Sequence, residues 1–308
     1  MSEINTLADD TVGTPAAEAA AEITFADLGL APELLRAVLD EGYTKPTPIQ
    51  AQAIPLVISG KDIMGGAQTG TGKTAAFGIP LLQKIDPKNK KPQAIILCPT
   101  RELAIQVSEE IRRLAKYMHG VKVLPIYGGQ EIVKQIRSLK GGVQIIVGTP
   151  GRVMDHMRRK TIRTDEIRTV VLDEADRMLD MGFIHDVTRI LDKIPHRKNL
   201  GMFSATISRE VMDISWVYQR DPVEITVRPV EESKPDITQY RIDLDGREQK
   251  LDTIAALITH GEYERAIAFC NTKNMTDRLA GLPLVYQPGT RWSYSVGLDL
   301  LGRVDRKS

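Results

Sequence analysis

The sequence has few aromatic residues, almost no cysteine and no long apolar run. Phe, Trp and Tyr make up 5% of the 308 residues, which disfavours recognition by base stacking. Two cysteines, Cys98 and Cys270, provide neither a disulfide framework nor a paired-cysteine zinc site. No stretch approaches the roughly 18 apolar residues of a membrane-spanning helix, and the amino-terminus lacks the pattern of a signal peptide. These absences predict a soluble, globular, cytoplasmic protein with no membrane partner.

Net charge is also almost absent, since 41 Lys and Arg residues oppose 40 Asp and Glu residues. A uniformly basic, histone-like mode of nucleic-acid binding is therefore excluded, and any such surface must be local. Residues 1–22 contain five acidic residues, no basic residue and no aromatic residue. We expect a disordered acidic leader there, because large apolar groups are too few to offset the entropy of ordering.

Residues 23–228 alternate short apolar runs with amphipathic segments. The runs are apolar throughout, which is typical of parallel strands covered on both faces. This pattern predicts an α/β domain, a parallel sheet with helices on both faces, whose ligands bind at the carboxyl ends of the strands. Strands are expected at 94–98, 121–127, 144–147, 169–172 and 200–203, and helices at 102–117, 132–139, 153–157 and 186–194.

Three further segments follow this domain. The Pro- and charge-rich residues 229–240 are expected to form a linker. Residues 241–280 predict the incomplete start of a second α/β domain, with a helix at 248–259. The composition changes again at 281–308, where we expect an unrelated tail.

The strongest local signal is a glycine-rich segment, which reads Ala67-Gln68-Thr69-Gly70-Thr71-Gly72-Lys73-Thr74. Small residues allow consecutive backbone N–H groups to surround phosphate oxygens, and a following helix adds its positive amino-terminus. Lys73 would contact the β- and γ-phosphates, and the Thr74 hydroxyl would bind Mg²⁺. Ala67 departs from the strict pattern, which begins with glycine, and the alternative is an ordinary turn before a helix.

A second signal, Asp173-Glu174-Ala175-Asp176, follows directly on the expected strand at 169–172. A carboxylate at the end of a buried strand needs a cation to meet it. With Thr74 expected on the loop of a neighbouring strand, we assign Asp173 to the Mg²⁺ shell and Glu174 to the orientation of the attacking water. Alone, such a string is usually an exposed helix start, but the phosphate loop favours the catalytic interpretation.

An aromatic residue, a Pro-x-Pro turn and a carboxamide precede the phosphate loop, at 43–50. Gln50 can donate to and accept from an adenine edge at once. Phe25 or Tyr43 could stack on the adenine ring. In isolation this segment is a turn before a helix, and its position near the phosphate loop favours the nucleotide interpretation.

Other expected strand ends carry hydroxyls, guanidiniums or bare glycine amides, which hold a sugar–phosphate backbone without reading bases. A single segment of this kind usually forms a turn or a helix cap. Three such segments at one edge of the sheet favour binding of a nucleic-acid strand. The hydroxyls of Ser204 and Thr206 could bind Asp176 and couple the two sites, or could cap the next helix. The strand-binding candidates are Pro99, Thr100 and Arg101, then Gly128 and Gly129, then Thr149, Gly151 and Arg152.

Together these segments resemble the DEAD-box family of ATP-dependent RNA helicases, over about residues 25–273. The family's own phosphate loop begins with alanine, in agreement with Ala67. The resemblance implies a RecA-like fold, ATP as the nucleotide, Mg²⁺ as the metal and RNA as the partner. It also implies RNA-stimulated ATP hydrolysis coupled to local duplex unwinding, and it names no protein partner.

Two later family motifs do not occur in the sequence, an Ala-Thr-Asp-type segment and a His-Arg-x-Gly-Arg-type segment that supplies arginine fingers. Residues 287–296 instead resemble a piece of the serine β-lactamase-like esterases, with Tyr294 at the position that assists the nucleophile. We therefore expect a truncated or chimeric helicase chain, joined between 272 and 281 and impaired in hydrolysis. The alternatives are a non-catalytic module that binds ATP and RNA and, more remotely, a serine hydrolase fragment.

Overall fold

The computed structural model describes residues 23–66, 70–227, 242–243, 249–260, 268–270 and 272–281. The expected leader at 1–22, the linker at 229–240 and all of the tail beyond residue 281 lie outside the described residues. The chain divides into two units, residues 1–233 and residues 234–308.

A seven-stranded sheet organises the first unit, and every adjacent pair of strands is parallel. The order across the sheet is β3-β4-β2-β5-β6-β1-β7. The predicted parallel α/β sheet is therefore confirmed. The strands are β1 (Ile63–Gly66), β2 (Ala94–Leu97), β3 (Val123–Ile126), β4 (Ile145–Gly148), β5 (Thr169–Leu172), β6 (Asn199–Ser204) and β7 (Val223–Thr226).

A short 3₁₀ helix at Phe25–Leu28 and two α-helices precede β1, and one or two helices follow each of the strands β1 to β6. In the first unit they are α1 (Pro32–Asp40), α2 (Pro48–Ile58), α3 (Lys73–Gln83), α4 (Arg101–Leu114), α5 (Ile132–Lys140), α6 (Pro150–Arg158), α7 (Ala175–Asp180), α8 (Ile184–Asp192) and α9 (Arg209–Tyr218). In the second unit, α10 (Gln249–His260) confirms the helix predicted at 248–259, and α11 (Lys273–Ala280) follows it. None of the helices in the described ranges is long and apolar enough to cross a membrane.

Two separate hydrophobic cores lie on the two faces of the sheet. Ile96 packs in one core with α2, α3 and α4, whereas its neighbours Ile95 and Leu97 pack in the other with α6, α8 and α9. Successive side chains of a strand point to opposite faces, so a strand covered on both sides must be apolar at every position. This explains why the runs do not alternate, and it confirms helices on both faces.

One expectation about the sheet is wrong. The loop that carries Lys73 and Thr74 follows β1, and Asp173 follows β5, but these strands are not neighbours, because β6 lies between them. Strand order depends on long-range pairing, which the local pattern does not specify. The insertion of β6 brings Ser204 between the two groups of residues.

Candidate nucleotide and nucleic-acid site

The predicted site segments that follow a strand all lie at one edge of the sheet. The reason is that parallel strands have their carboxyl ends at the same edge. The sheet order divides this edge into two halves. The strands β5, β6 and β1 precede the Asp173 segment, the Ser204 segment and the phosphate loop. The strands β2, β4 and β3 precede the three segments predicted to bind a nucleic-acid backbone. The two predicted functions therefore occupy adjacent halves of a single edge.

The phosphate loop ends at Gly72, which precedes the first residue of α3, Lys73. Gly72 has φ +85°, and a Cβ at this position would lie 2.3 Å from Gln50 Nε2. Both facts restrict the position to glycine. Lys73 is buried and Thr74 is half-buried. The positions of Ala67, Gln68 and Thr69 lie outside the described residues.

Gln50 is fully buried and supports the phosphate loop from behind. Its Nε2 donates to the Gly72 carbonyl at 3.1 Å, and its Oε1 accepts from Thr47 N at 2.9 Å. The Thr47 hydroxyl donates to the Thr71 carbonyl at 2.9 Å. Sequence reasoning missed Thr47, although Thr47 and Gln50 have the spacing of a capping box at the start of α2. These contacts join the segment at 47–50 directly to the loop.

The two aromatic candidates differ in exposure. Phe25 is fully buried in the core, and its ring meets that of Tyr43 edge to face at a centroid distance of 6.1 Å. Tyr43 is half-buried, and its hydroxyl donates to Glu110 Oε1 at 3.2 Å. Burial, together with the Glu110 carboxylate, raises the pKa of Tyr43 to about 12. Of the two rings, Tyr43 is the one with surface available to a ligand.

Asp173 is a buried carboxylate with 4% exposure. Its Oδ1 accepts from Glu174 N at 3.0 Å. Burial raises the pKa of Asp173 to about 6, the positive charge of Lys73 opposes this change, and the Glu174 carboxylate adds to it. Lys73 is thus close enough to act on Asp173 electrostatically, as the sequence predicted, but it does not fully compensate the buried charge.

The residues around Asp173 fit a magnesium ion of the kind found in phosphate-transfer sites. Among the described residues, no group of three or more His, Cys, Asp or Glu side chains could hold a metal. Mg²⁺ is usually bound by one or two carboxylates together with waters and substrate phosphates. A buried, incompletely compensated Asp173 and the Thr74 hydroxyl match this donor set.

Glu174 precedes α7 in a left-handed backbone conformation, with φ +50°. Such a conformation is uncommon for a residue other than glycine and costs on the order of 1–3 kcal/mol. The Glu174 side chain is 16% exposed and accepts from Arg177 Nη1 at 3.1 Å. Sequence reasoning missed Arg177. Strain of this kind is concentrated at functional sites, in line with the role predicted for Glu174.

Asp176 is hydrogen-bonded to the segment that follows β6, as predicted. Its Oδ2 accepts from Thr206 twice, from the backbone N at 2.8 Å and from the hydroxyl at 2.7 Å. The Ser204 hydroxyl accepts from Asp176 N at 3.1 Å and donates to the Thr206 carbonyl at 2.7 Å. Burial alone would raise the pKa of Asp176, but the hydrogen bonds from Thr206 and Ser204 outweigh it and lower the pKa.

In the other half of the edge, Thr100 and Arg101 begin α4. The Thr100 hydroxyl accepts from Leu103 N at 3.2 Å, so this residue caps the helix, and Pro99 before it is buried. Arg101 is exposed, and a Cβ on Gly129 would lie 3.7 Å from Arg101 Nη1. The structure thus brings the first two predicted segments together, with an exposed guanidinium beside bare glycine backbone.

The third segment begins α6, and it is tied to the glycine loop by a network that the sequence did not reveal. Arg152 Nη1 donates to the Gln130 carbonyl at 2.9 Å and to Gln135 Oε1 at 3.2 Å. Gln135 is buried, and its Nε2 donates to the carbonyl of Tyr127 at 3.0 Å. His156, fully buried, contacts Gln135 Oε1 through Nε2 at 2.9 Å. This network ties the loop at 128–130 to the first turn of α6.

A family model described as DEAD/DEAH box helicase matches residues 47–214, which include the phosphate loop, Asp173–Asp176 and Ser204–Thr206. The chain belongs to this helicase family. The predicted family membership is therefore confirmed. The serine β-lactamase-like resemblance of residues 281–308 is not borne out by the comparisons, and the serine hydrolase alternative is dropped.

Curated relatives carry the same family description. The chain is 48% identical over 258 residues to the DEAD-box ATP-dependent RNA helicase CshA of Bacillus subtilis, covering 84% of this chain and 52% of CshA. It is 45% identical over 259 residues to the ATP-dependent RNA helicase DeaD of Escherichia coli K12, covering 84% of this chain and 41% of DeaD. The chain thus spans about half the length of the curated relatives that it matches.

Two solved DEAD-box structures resemble the fold. A DEAD box protein from the hyperthermophile Methanococcus jannaschii has a TM-score of 0.64 and 39% identity, covering 83% of this chain and 69% of that one. Saccharomyces cerevisiae Dbp5, solved as a variant bound to RNA and ADP BeF3, has a TM-score of 0.71 and 35% identity, covering 84% and 66%. The RecA-like fold predicted for the first domain is confirmed.

Proposed function

We propose that this chain binds ATP with Mg²⁺ and the backbone of RNA at the carboxyl edge of its sheet. As part of a DEAD-box helicase it would serve RNA-stimulated ATP hydrolysis coupled to the unwinding of short RNA duplexes. The observation that carries the proposal is that the segments predicted to bind phosphates and those predicted to bind a nucleic-acid backbone occupy adjacent halves of one sheet edge. We also propose that the chain acts in the cytoplasm, where ATP and RNA occur together.

In the nucleotide half, Lys73 would contact the β- and γ-phosphates while the loop at 67–72 surrounds them with backbone N–H groups. Thr74 and Asp173 would hold Mg²⁺, which neutralises charge on the phosphates when bound. With a pKa of about 6, Asp173 is mostly ionised at neutral pH and can take this part. Glu174 would accept a proton from the attacking water or orient it.

Recognition of the base and of the RNA is proposed from the remaining contacts. Tyr43 would stack on adenine, and Gln50 would bind the adenine edge. The bond from Gln50 to Gly72 would connect this contact to the phosphate loop. Arg101 and Arg152, with the glycine amides between them, would bind phosphates without reading bases. The bonds between Asp176 and Thr206 support coupling of the two halves.

We keep the predicted domain organisation as part of the proposal. Residues 23–228 would form the ATP-binding helicase domain, 229–240 a linker and 241–280 the start of a second helicase domain. The sequence contains no His-Arg-x-Gly-Arg segment, and arginine fingers contribute on the order of 10³–10⁵ to this reaction. A non-catalytic module that binds ATP and RNA is therefore the second candidate.

Two measurements test the proposal. Fluorescence titration with a labelled ATP analogue should show binding that Lys73→Ala abolishes and that Lys61→Gln, a change at an exposed lysine before β1, leaves unchanged. Equal affinity of the wild type and Lys73→Ala would refute the phosphate-loop assignment. A steady-state ATPase assay with and without RNA then separates the candidates, because RNA-stimulated turnover that Glu174→Gln removes would exclude the non-catalytic module.

A further inference from the structure

A basic groove lies at the opposite, amino-terminal edge of the sheet from the proposed site. We define it by five cationic side chains, which line a cavity of about 480 Å³ between the carboxyl ends of α5 and α6. They are Lys90, Lys91, Lys140, Lys160 and Arg163. The apolar side chains of Ile136 and Leu139 also line it. Neither the family motifs nor the proposed ATP site uses any of these residues.

The positive charge of the basic groove is largely uncompensated. Lys91 forms ion pairs with Asp165 at 3.0 Å and with Glu166 at 3.6 Å. Within the described ranges, the side chains of Lys90, Lys140 and Lys160 form no hydrogen bond or ion pair. Arg163 forms none either, but its charge acts on Asp165 and contributes to lowering the pKa of that carboxyl. Like charges gathered around a concave surface raise the local potential and attract anions. This concentration is notable in a chain whose net charge is +1.

Lys160 occupies a backbone position that would suit glycine better. It lies just beyond the end of α6, with φ +55°, where helices commonly end on glycine. A lysine here has a favourable interaction with the negative end of the helix dipole, which only partly offsets the strained backbone. The side chain therefore adds charge to the groove at some cost in stability.

The basic groove is connected to the proposed RNA-binding half by two helices. α5 begins after Gly129, α6 begins after Thr149, and both end at the groove. Each has nine residues, so each spans about 14 Å at 1.5 Å per residue. A nucleic-acid strand covers that distance in about four stacked nucleotides at roughly 3.4 Å each. An RNA strand longer than the carboxyl-edge site could therefore continue to the groove.

We propose that the basic groove is a second binding site for the RNA phosphate backbone, which holds the part of a strand that extends past the carboxyl edge. This inference rests on the proposed RNA-binding function of Arg101 and Arg152. Uncompensated cations and proximity to the RNA-binding segments favour a phosphate backbone over an acidic protein. Such a site increases affinity for long RNA without adding sequence preference.

The test compares binding of two single-stranded RNAs, of about 5 and about 20 nucleotides, by fluorescence anisotropy over a range of salt concentrations. The double variant Lys140→Gln/Lys160→Gly removes two groove cations. For the long RNA it should weaken binding about tenfold and reduce the slope of log Kd against log salt by about 1.4, since each phosphate contact contributes about 0.7. Binding of the short RNA should not change.

Matched controls separate the possible failures. Lys61→Gln removes a cation that precedes β1, whereas the nearest groove residues precede β2. Three strand spacings, about 14 Å, separate these two strands. This variant should bind both RNAs as the wild type does. Lys160→Gly should keep or raise the thermal unfolding temperature, because glycine suits φ +55°, so weaker binding cannot reflect unfolding.

Equal binding of the long RNA by the double variant and the wild type would overturn the second site while leaving the proposed function intact. Failure of the wild type to bind either RNA would overturn both. A groove variant that loses affinity for polyglutamate but keeps affinity for long RNA would also overturn the inference, since the groove would then serve an acidic protein.

Discussion

Replacement of Asp173 by asparagine should stabilise the fold while removing the proposed metal ligand. The substitution keeps the acceptor for Glu174 N and removes the buried charge. Burial raises the pKa of Asp173 from 3.8 to about 6. Since one pKa unit corresponds to about 1.4 kcal/mol, the ionised carboxylate destabilises the ligand-free fold by about 3 kcal/mol at neutral pH.

The pH dependence of this effect has a definite sign. Well below pH 3.8 the Asp173 carboxyl is protonated in both the folded and the unfolded chain, so it makes no difference to stability. Between about pH 4 and pH 6 the unfolded chain has released this proton while the folded chain retains it, and stability falls as pH rises. Asp173→Asn removes this loss of stability. The difference in free energy of unfolding between the variant and the wild type should therefore grow from about pH 4 to pH 6 and stay constant above that.

Urea unfolding followed by circular dichroism, without nucleotide or metal, measures the effect. Asp173→Asn should be more stable than the wild type by up to about 3 kcal/mol at about pH 7.5, and nearly equal to it at about pH 3. ATP with Mg²⁺ should stabilise the wild type and not the variant. Asp176→Asn is the matched control with the opposite sign, because hydrogen bonds from Thr206 lower the pKa of Asp176. A destabilised Asp173→Asn at neutral pH would refute the reasoning.

Two further substitutions test contacts within the site. Gly72→Ala should reduce ATP affinity tenfold or more (about 1.4 kcal/mol), since its Cβ would meet Gln50 Nε2 at 2.3 Å. Gly60→Ala is the control, because Gly60 has φ +95° but open space around it, and it should leave ATP affinity unchanged. An equal loss of ATP affinity in both variants would implicate backbone strain alone. Thr206→Val removes the hydrogen bond from the Thr206 hydroxyl to Asp176. It should reduce the factor by which RNA raises ATP affinity, which is measured by ATP titration with and without RNA. An unchanged factor would rule out the proposed coupling.

The strands at the centre of the sheet were predictable because each of them contributes to two cores. Ile95, Ile96 and Leu97 are all buried, on alternating faces, so apolarity at every position revealed β2 and its neighbours. Two strands escaped prediction. β7 is an edge strand in which only Ile225 is buried. β1 is buried at all four positions, but two of them are glycines, so its sequence contains no apolar run. β3, at the other edge, was predictable although its two middle residues are partly exposed, because all four of its residues are apolar.

The amino-acid sequence by itself determined the class of fold, the order of the motifs along the chain and the common edge at which they meet. These features depend on local periodicity and on the rule that parallel strands share one carboxyl edge. Only the tertiary structure decided that β6 separates the Asp173 strand from the phosphate-loop strand, that Gln50 supports Gly72 and that cationic side chains from separate segments form the basic groove. Each of these depends on contacts between residues distant in the sequence, whose pairing is set by the packing of the whole domain.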